Sequence, residues 1–466
     1  MQTYHTIIIG GGLSGLSAAV ELSSIGRTVL LLERNSHCGG RTHSFPDAAT
    51  GSTVDNGQHL MMGCYHATRR FLRMIGTDHL AFLQPSLRID FLHPSRKDDH
   101  LTCPRLPAPF HLLGGLLRFT PIPFHERLTM FRVAKELIST SSVKERELEQ
   151  LSVEEWLVLL RQSDTSRKYL WDVITIGALN NSPKNVSALM LFRVLRAAFL
   201  GTNEHASLLI PHAGLSELFV DPAMHYITAR GGAVRTAMGV ERMVEDGTQI
   251  RSVRTSDGKE LHAESFISAV PWYSFEKILP GHSERALSGS DPQITAEEFH
   301  GIFKSSPIIS IHLWLDREIT DLDFAALLET RVQWLFNKSK LLHEPGKGSV
   351  HRQYLSLVIS DAEAFVRLDK KQLLEIALED VRRVLPRAGD ARVIHSLVIK
   401  EKRATFVPAP GLELLRMNAR TRFTNLFLAG DWTATGYPAT IEGAVMSGRT
   451  AAGLIGGQGF SQQAVP

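Results

Sequence analysis

Cysteine is scarce in this 466-residue chain: Cys38, Cys64 and Cys103 are the three, without CxxC spacing or paired histidines. That gives no ground for a zinc site or a disulfide framework and points to a reducing compartment, expected to be cytoplasmic. Net charge is small, +3, with no Lys/Arg block or basic-aromatic strip, so a nucleic-acid partner is not expected. Long apolar runs are missing too. The best candidates are interrupted by Arg118, Arg193 and Arg196, short of the ~18 apolar residues that a spanning helix needs. Nor is there room for a targeting peptide, because an apolar strand begins close behind Met1.

What is present is ordinary globular material, 43% hydrophobic and 21% charged, enough for a sizeable core. At ~150 residues per domain the length suggests two to three domains. The amino-terminal stretch HTIIIGGGLSGLSAAVELSSIGRTVLLLERN reads as strand, tight turn, helix and strand. Thr6 to Ile9 is a β-branched run suited to a buried parallel strand. Gly10, Gly12 and Gly15 then form G-x-G-x-x-G, and the helix opens at Leu13 and Ser14 and ends at Gly26. Gly10 permits the turn, Gly12 lets backbone approach a pyrophosphate, and Gly15 lets helix and strand pack closely. The helix amino terminus faces the anion. Glu33, followed by Arg34, closes the second strand where a carboxylate accepts from ribose hydroxyls. This pattern fits NAD or FAD. Gly39, Gly40 and Arg41 follow, and can wrap the far side of a pyrophosphate.

The carboxyl-terminal stretch NLFLAGDWTATGYPATIEGAVMSGRTAA reads as a short buried strand, Leu426 to Ala429, then Gly430-Asp431, a Gly-Tyr-Pro turn and a thin helix, Thr440 to Ala452. Asp431 can hold a sugar-like hydroxyl chain. The amides near Ile441 and Glu442 can hold an electron-rich carbonyl. Between the two ends, STVDNGQHLMM crowds Asp55, Asn56, Gln58 and His59 around Gly57 beside an apolar run. Locally that fits a metal site, a hydrolytic site or the wall of a cofactor pocket. One histidine with a single carboxylate four residues before it is a poor metal set, and no nucleophile elbow is present.

Gly10-x-Gly12-x-x-Gly15 with Glu33, then Gly39-Gly40-Arg41, then Ala429-Gly430-Asp431 with the final helix, resembles the FAD-dependent amine oxidase and phytoene desaturase superfamily. The pattern frames residues 6 to 452. DNGQHLMMGCY and AGDWTATGYPATIEGAV look most like the squalene-associated hydroxysqualene dehydroxylases of hopanoid synthesis. The resemblance implies an α/β fold, with a Rossmann-type FAD-binding domain interleaved with a mixed α+β substrate domain. It implies non-covalent FAD, since no Cys lies in DWTATGYPA, and no metal. It puts Gly57, Gln58 and His59 against the flavin, with Asp55 and Asn56 tying down the loop. His59 becomes the acid candidate beside Gln58, and Val240 lies against adenine. By the same alignment Ser310 stands where many members carry a lysine.

The expected division is 1–86, 211–290 and 415–466 for FAD, and 87–210 with 291–414 for substrate. Residues 87 to 210 read as largely helical, with a capping box at Ser152 and Glu155 and an apolar helix over 187–201. SSPIISIHLWLD reads as a strand with His312, Trp314 and Asp316 on one side. Residues 105–124, with Leu112, Leu113, Leu116, Leu117 and Phe119, fit a peripheral membrane anchor flanked by Arg118 and Arg127, or an apolar lid or core helix. The implied substrate is a polyisoprenoid, and the electron donor is not named by the sequence. A carotenoid-type desaturase, an amine oxidase and a non-catalytic prenyl-carrier protein share the pattern.

Overall fold

The computed structural model describes residues 4–96, 98–107, 110–139, 141–279, 301–343 and 351–457. Parts of the expected segments, among them 108–109, 280–300 and 344–350, lie outside these. A five-stranded parallel sheet is ordered Ala233–Arg235, Val29–Leu32, Tyr4–Ile9, Ala263–Ser268, Leu426–Leu428. The strands Val29–Leu32 and Leu426–Leu428 are buried throughout, as expected of a parallel sheet covered on both faces. The first helix, Leu13–Ser24, follows the first strand directly and packs along the last, Ile441–Gly456. Their approach is close enough that a Cβ on Gly448 would stand 2.1 Å from the Ser14 carbonyl oxygen. This is the Rossmann-type α/β arrangement that the glycine pattern implied.

A seven-stranded sheet is ordered Val393–Phe406, Ser305–Leu315, Gln353–Ile359, Trp334–Asn337, Phe324–Leu327, Arg88–Leu92, Asp99–Thr102. It is antiparallel apart from the pairing of Phe324–Leu327 with Arg88–Leu92. Strand periodicity separates its two faces. Ile309, Ile311, Leu313, Leu355 and Leu357 form a core with Leu373, Ala377 and Val381 of the helix Lys370–Val384. Ser310, His312 and Trp314 face the other way, with Ser356 opposite His312 and Tyr354 opposite Trp314. Asp316 falls beyond the strand end, where its carboxylate accepts from the Arg392 amide at 2.9 Å.

Residues 87–210 are helical over much of their length, and the capping box at Ser152 and Glu155 forms with both of its hydrogen bonds. The apolar helix spans Ala188–Phe199. The segment also contributes the last two strands at one end of the seven-stranded sheet, Arg88–Leu92 and Asp99–Thr102, which a helical reading misses. In 105–124, Phe119 is fully buried and Leu112 and Leu116 pack on the core. Arg127 donates to the Leu117 and Ile122 carbonyls, each at 2.5 Å. The exposed large apolar side chains of this stretch are instead Leu106, Phe110 and Phe124, and Leu128 and Phe131 just beyond it are exposed too. Among the described residues no helix is long and apolar enough to cross a membrane.

Candidate functional site

The glycine turn meets the expectations of a phosphate cradle. Gly10 has φ +107°, and a Cβ on Gly15 would come within 2.0 Å of the Gly10 carbonyl oxygen, so neither tolerates a side chain. At Gly12 the requirement is different: φ is −72° and a Cβ would meet nothing within 4 Å. That open space adjoins the first turn of Leu13–Ser24, which has no side-chain cap and no acidic residue. Its leading amides, at Leu13, Ser14 and Gly15, lack intrahelical partners. An uncapped helix end facing open space suits a pyrophosphate. Gly39 donates to the Gly11 carbonyl at 2.7 Å, and Gly39 and Gly12 form a parallel bridge, which sets Gly40 beside the same space.

Glu33 is buried, and its two carboxylate oxygens accept from the Gly11 amide at 2.7 Å and the Asn35 amide at 2.8 Å. Each oxygen retains a lone pair for a hydroxyl donor. Val240 begins a strand of the three-stranded hairpin sheet, next to Gly239, which packs on Arg34. The expected adenosine residues Glu33, Arg34 and Val240 therefore meet at one end of the cradle. At the other end Arg41 donates to Asp431 at 2.8 Å and to the Ala404 carbonyl at 2.5 Å.

The loop after Gly430 is pinned by a residue the sequence did not single out. Arg416, its side chain 1% exposed, donates to the carbonyls of Asp431 and Tyr437 at 2.7 Å each and to Thr435 Oγ1 at 3.0 Å. Ile441 opens the last helix, whose cap Thr440 accepts from the Gly443 amide. The Glu442 side chain turns away from the cradle. It accepts from the Ala67 amide, the Thr68 amide and Thr68 Oγ1, capping the helix His66–Ile75 from outside. Burial raises its carboxyl above the ordinary glutamate value despite those bonds. Beside this helix end, Met62, Tyr65, Phe199 and Tyr437 gather around Cys64, Ala197 and Ala198 in an apolar cluster.

Gly57, Gln58 and His59 face the seven-stranded sheet. A Cβ on Gly57 would lie 4.0 Å from Ser310 Oγ. His59 Nδ1 lies 2.8 Å from the Gly57 carbonyl oxygen. Burial lowers the His59 pKa, with Arg41 and Lys338 adding to the effect, so the imidazole is neutral near pH 7. In that state Nδ1 carries the proton and Nε2 presents a lone pair.

Lys338 is the other residue that sequence reasoning missed. Its ammonium donates to Asp55 Oδ2 at 2.7 Å and to Gln58 Oε1 at 2.9 Å, with both charged side chains at most 2% exposed. Asp55 also accepts from Ser44 Oγ and from the Leu215 amide. Burial alone would raise the Asp55 carboxyl, but Lys338 and these donors outweigh it and hold it below the usual aspartate value. Among the described residues no cluster of histidine, cysteine, aspartate or glutamate could hold a metal. All three cysteines are free and buried.

Comparison with known proteins gives the same picture over the whole chain. The family described as flavin containing amine oxidoreductase matches residues 13–456. The hydroxysqualene dehydroxylase of Sinorhizobium fredii is 29% identical over 461 residues, covering 96% of this chain and 97% of that protein. The zeta-carotene desaturase of Synechocystis is 24% identical over 487 residues, covering 96% of each. Among solved structures, a redesigned triple mutant of putrescine oxidase superposes with a TM-score of 0.71 at 18% identity, covering 97% of this chain and 99% of that one.

Proposed function

The chain belongs to the flavin containing amine oxidoreductase family, and on that premise we propose that it removes the hydroxyl of hydroxysqualene reductively to give squalene. The observation that carries this reading is the end-to-end similarity to hydroxysqualene dehydroxylase, which spans the dinucleotide cradle and the substrate-facing sheet together. FAD is the cofactor, and the open, uncapped helix end at Gly12 fits its pyrophosphate. We take residues 1–86, 211–290 and 415–466 as its domain, and 87–210 with 291–414 as the substrate domain.

Reduced flavin supplies hydride to the carbon that loses oxygen. The protein's part is to orient the polyisoprenoid, exclude water and bring a proton to the departing oxygen. Met62, Tyr65, Phe199 and Tyr437 provide an apolar wall with aromatic faces, which stabilise a transient allylic cation. His59 is our acid, with Gln58 beside it. Because burial depresses its pKa, the protonated form is a minority at neutral pH, and turnover through it rises as pH falls.

The exposed Leu106, Phe110, Phe124, Leu128 and Phe131, with Arg105, Arg118 and Arg132 also exposed, support peripheral contact with the lipid that dissolves such a substrate. The similarity to zeta-carotene desaturase supports one second reading, in which oxidised flavin takes hydride from a polyene precursor. An anaerobic single turnover separates the two. Reduced holoenzyme mixed with hydroxysqualene should reoxidise with matching squalene formation. Inert reduced flavin, with oxidised flavin bleached by a polyene precursor, would make the protein a desaturase.

A further inference from the structure

Lys338 is a fully buried cation that compensates the buried Asp55 carboxylate. It opens a four-residue helix, Lys338–Leu341, directly after the strand Trp334–Asn337, and its side chain runs inward to Asp55. A buried ion pair of this kind adds little stability over apolar residues of the same size, because desolvation offsets the Coulomb attraction. Its geometry, by contrast, is tightly specified. Asp55 is held by Ser44 and Leu215 through Oδ1 and accepts from Lys338 through Oδ2, so the carboxylate fixes the ammonium, and the ammonium in turn meets Gln58.

That last contact determines which way the Gln58 amide faces. An ammonium has only donors, so the amide atom 2.9 Å from it must be the oxygen. The amide nitrogen then points away from Lys338, with the His59 carbonyl oxygen 3.4 Å from it. One of its two N–H groups remains for whatever lies against the Gly57–His59 loop. The sheet beneath adds to the polarity. His312 Nε2 and Ser356 Oγ, on side chains opposite one another in adjacent strands, are buried without hydrogen-bond partners. Lys338 is also within electrostatic reach of His312. Such a set of polar atoms inside a core is kept by function more readily than by packing.

We propose that Lys338 is a positioning residue for the reaction: clamped by Asp55, it locks the Gln58 amide with its N–H side presented to the flavin and substrate. This deepens the functional reading above and rests on it for the placement of the flavin against Gly57–His59. With Lys338 replaced by an apolar residue, the amide is free to turn its acceptor toward the site, and the donor is lost.

The test is a double-mutant cycle of Lys338→Met and Gln58→Leu, read on the bound flavin and on turnover. Lys338→Met should retain FAD but melt below the native temperature, because the buried Asp55 carboxylate loses its cation. The reduction potential of its flavin, measured by anaerobic dye equilibration, should move to more negative values. Gln58→Leu should move it by the same amount, and the double variant no further. Saturated turnover of hydroxysqualene should fall at least tenfold in all three, with KM little changed. A native potential and native turnover in Lys338→Met would overturn the proposal, as would additive effects in the double variant. Should Lys338→Met fail to take up FAD, Gln58→Leu alone decides, and a native potential in it overturns the proposal. If the native enzyme does not turn over hydroxysqualene but the potentials shift as stated, the substrate reading fails while the positioning role stands.

Discussion

Arg41 donates to Asp431 at 2.8 Å, joining positions separated by 390 residues. Asp431 is 7% exposed on its side chain, so the guanidinium compensates a largely buried carboxylate. The pair ties the Gly39-Gly40 turn to the Gly430 loop at one end of the cradle. Arg41→Ala should therefore weaken FAD binding, since it leaves a buried charge unpaired where we propose that the cofactor sits. The cost of about 2 kcal/mol corresponds to roughly a 30-fold rise in Kd. A flavin-fluorescence titration of the apoprotein measures it, and an unchanged Kd would remove the pair from the binding site.

Gly12 and Gly15 should fail in different ways. Gly15→Ala drives a methyl to within 2.0 Å of the Gly10 carbonyl oxygen, so backbone must move. Its expected loss of about 3 kcal/mol would appear as a lower urea midpoint in the apoprotein. Gly12→Ala places its methyl in open space at an ordinary φ of −72°. It should fold with native stability yet purify colourless, because the methyl occupies the space assigned to pyrophosphate. A yellow, stoichiometrically loaded Gly12→Ala protein would refute that assignment.

These two glycines were legible from spacing alone, as were the first strand, the first helix and the capping box at Ser152. Each is set by residues within a few positions of one another. The strands Arg88–Leu92 and Asp99–Thr102 pair with each other locally, but what places them in the sheet was not legible, because it is a partner far along the chain: Phe91 pairs with Ala326. Lys338 was hidden for the same reason. In FNKSKLL it reads as a solvated charge, and only the fold brings it to Asp55. Arg416 likewise shows nothing locally of the carbonyls it holds.

Stability should fall with acid in a way that traces to buried histidines. Burial lowers His312 to about 3, and the nearby Lys338 charge adds to that. Below pH ~6.5 the unfolded chain binds a proton at this position that the folded protein does not. The stabilisation is therefore complete above pH ~6.5 and is lost progressively toward pH 3. The slope is up to ~1.4 kcal/mol per pH unit for each such residue. Urea unfolding of His312→Gln between pH 6 and pH 4 should show a flatter dependence than the native protein. Parallel slopes would mean that His312 takes up a proton while folded.

The apolar surface makes the last prediction. Phe124 of the short helix Phe124–Arg127, Leu128 at its end and Phe131 of the next helix, Met130–Ile138, are 61%, 46% and 43% exposed, while Met130, Val133 and Leu137 of that second helix are buried. The buried set shows that the helix Met130–Ile138 already has an inward face, so Phe131 lies on its outer one, beside Phe124 and Leu128 from the preceding turn. Transferring the exposed parts of three such side chains into lipid is worth roughly 1 kcal/mol each. The exposed Arg132 and Lys135 add attraction to an anionic surface. The holoenzyme should therefore float with vesicles containing anionic lipid. Phe124→Ser with Phe131→Ser should weaken that binding by about 30-fold, the equivalent of ~2 kcal/mol, while the bound FAD and the melting temperature stay native. Equal flotation of the two proteins would show that this stripe faces something other than lipid.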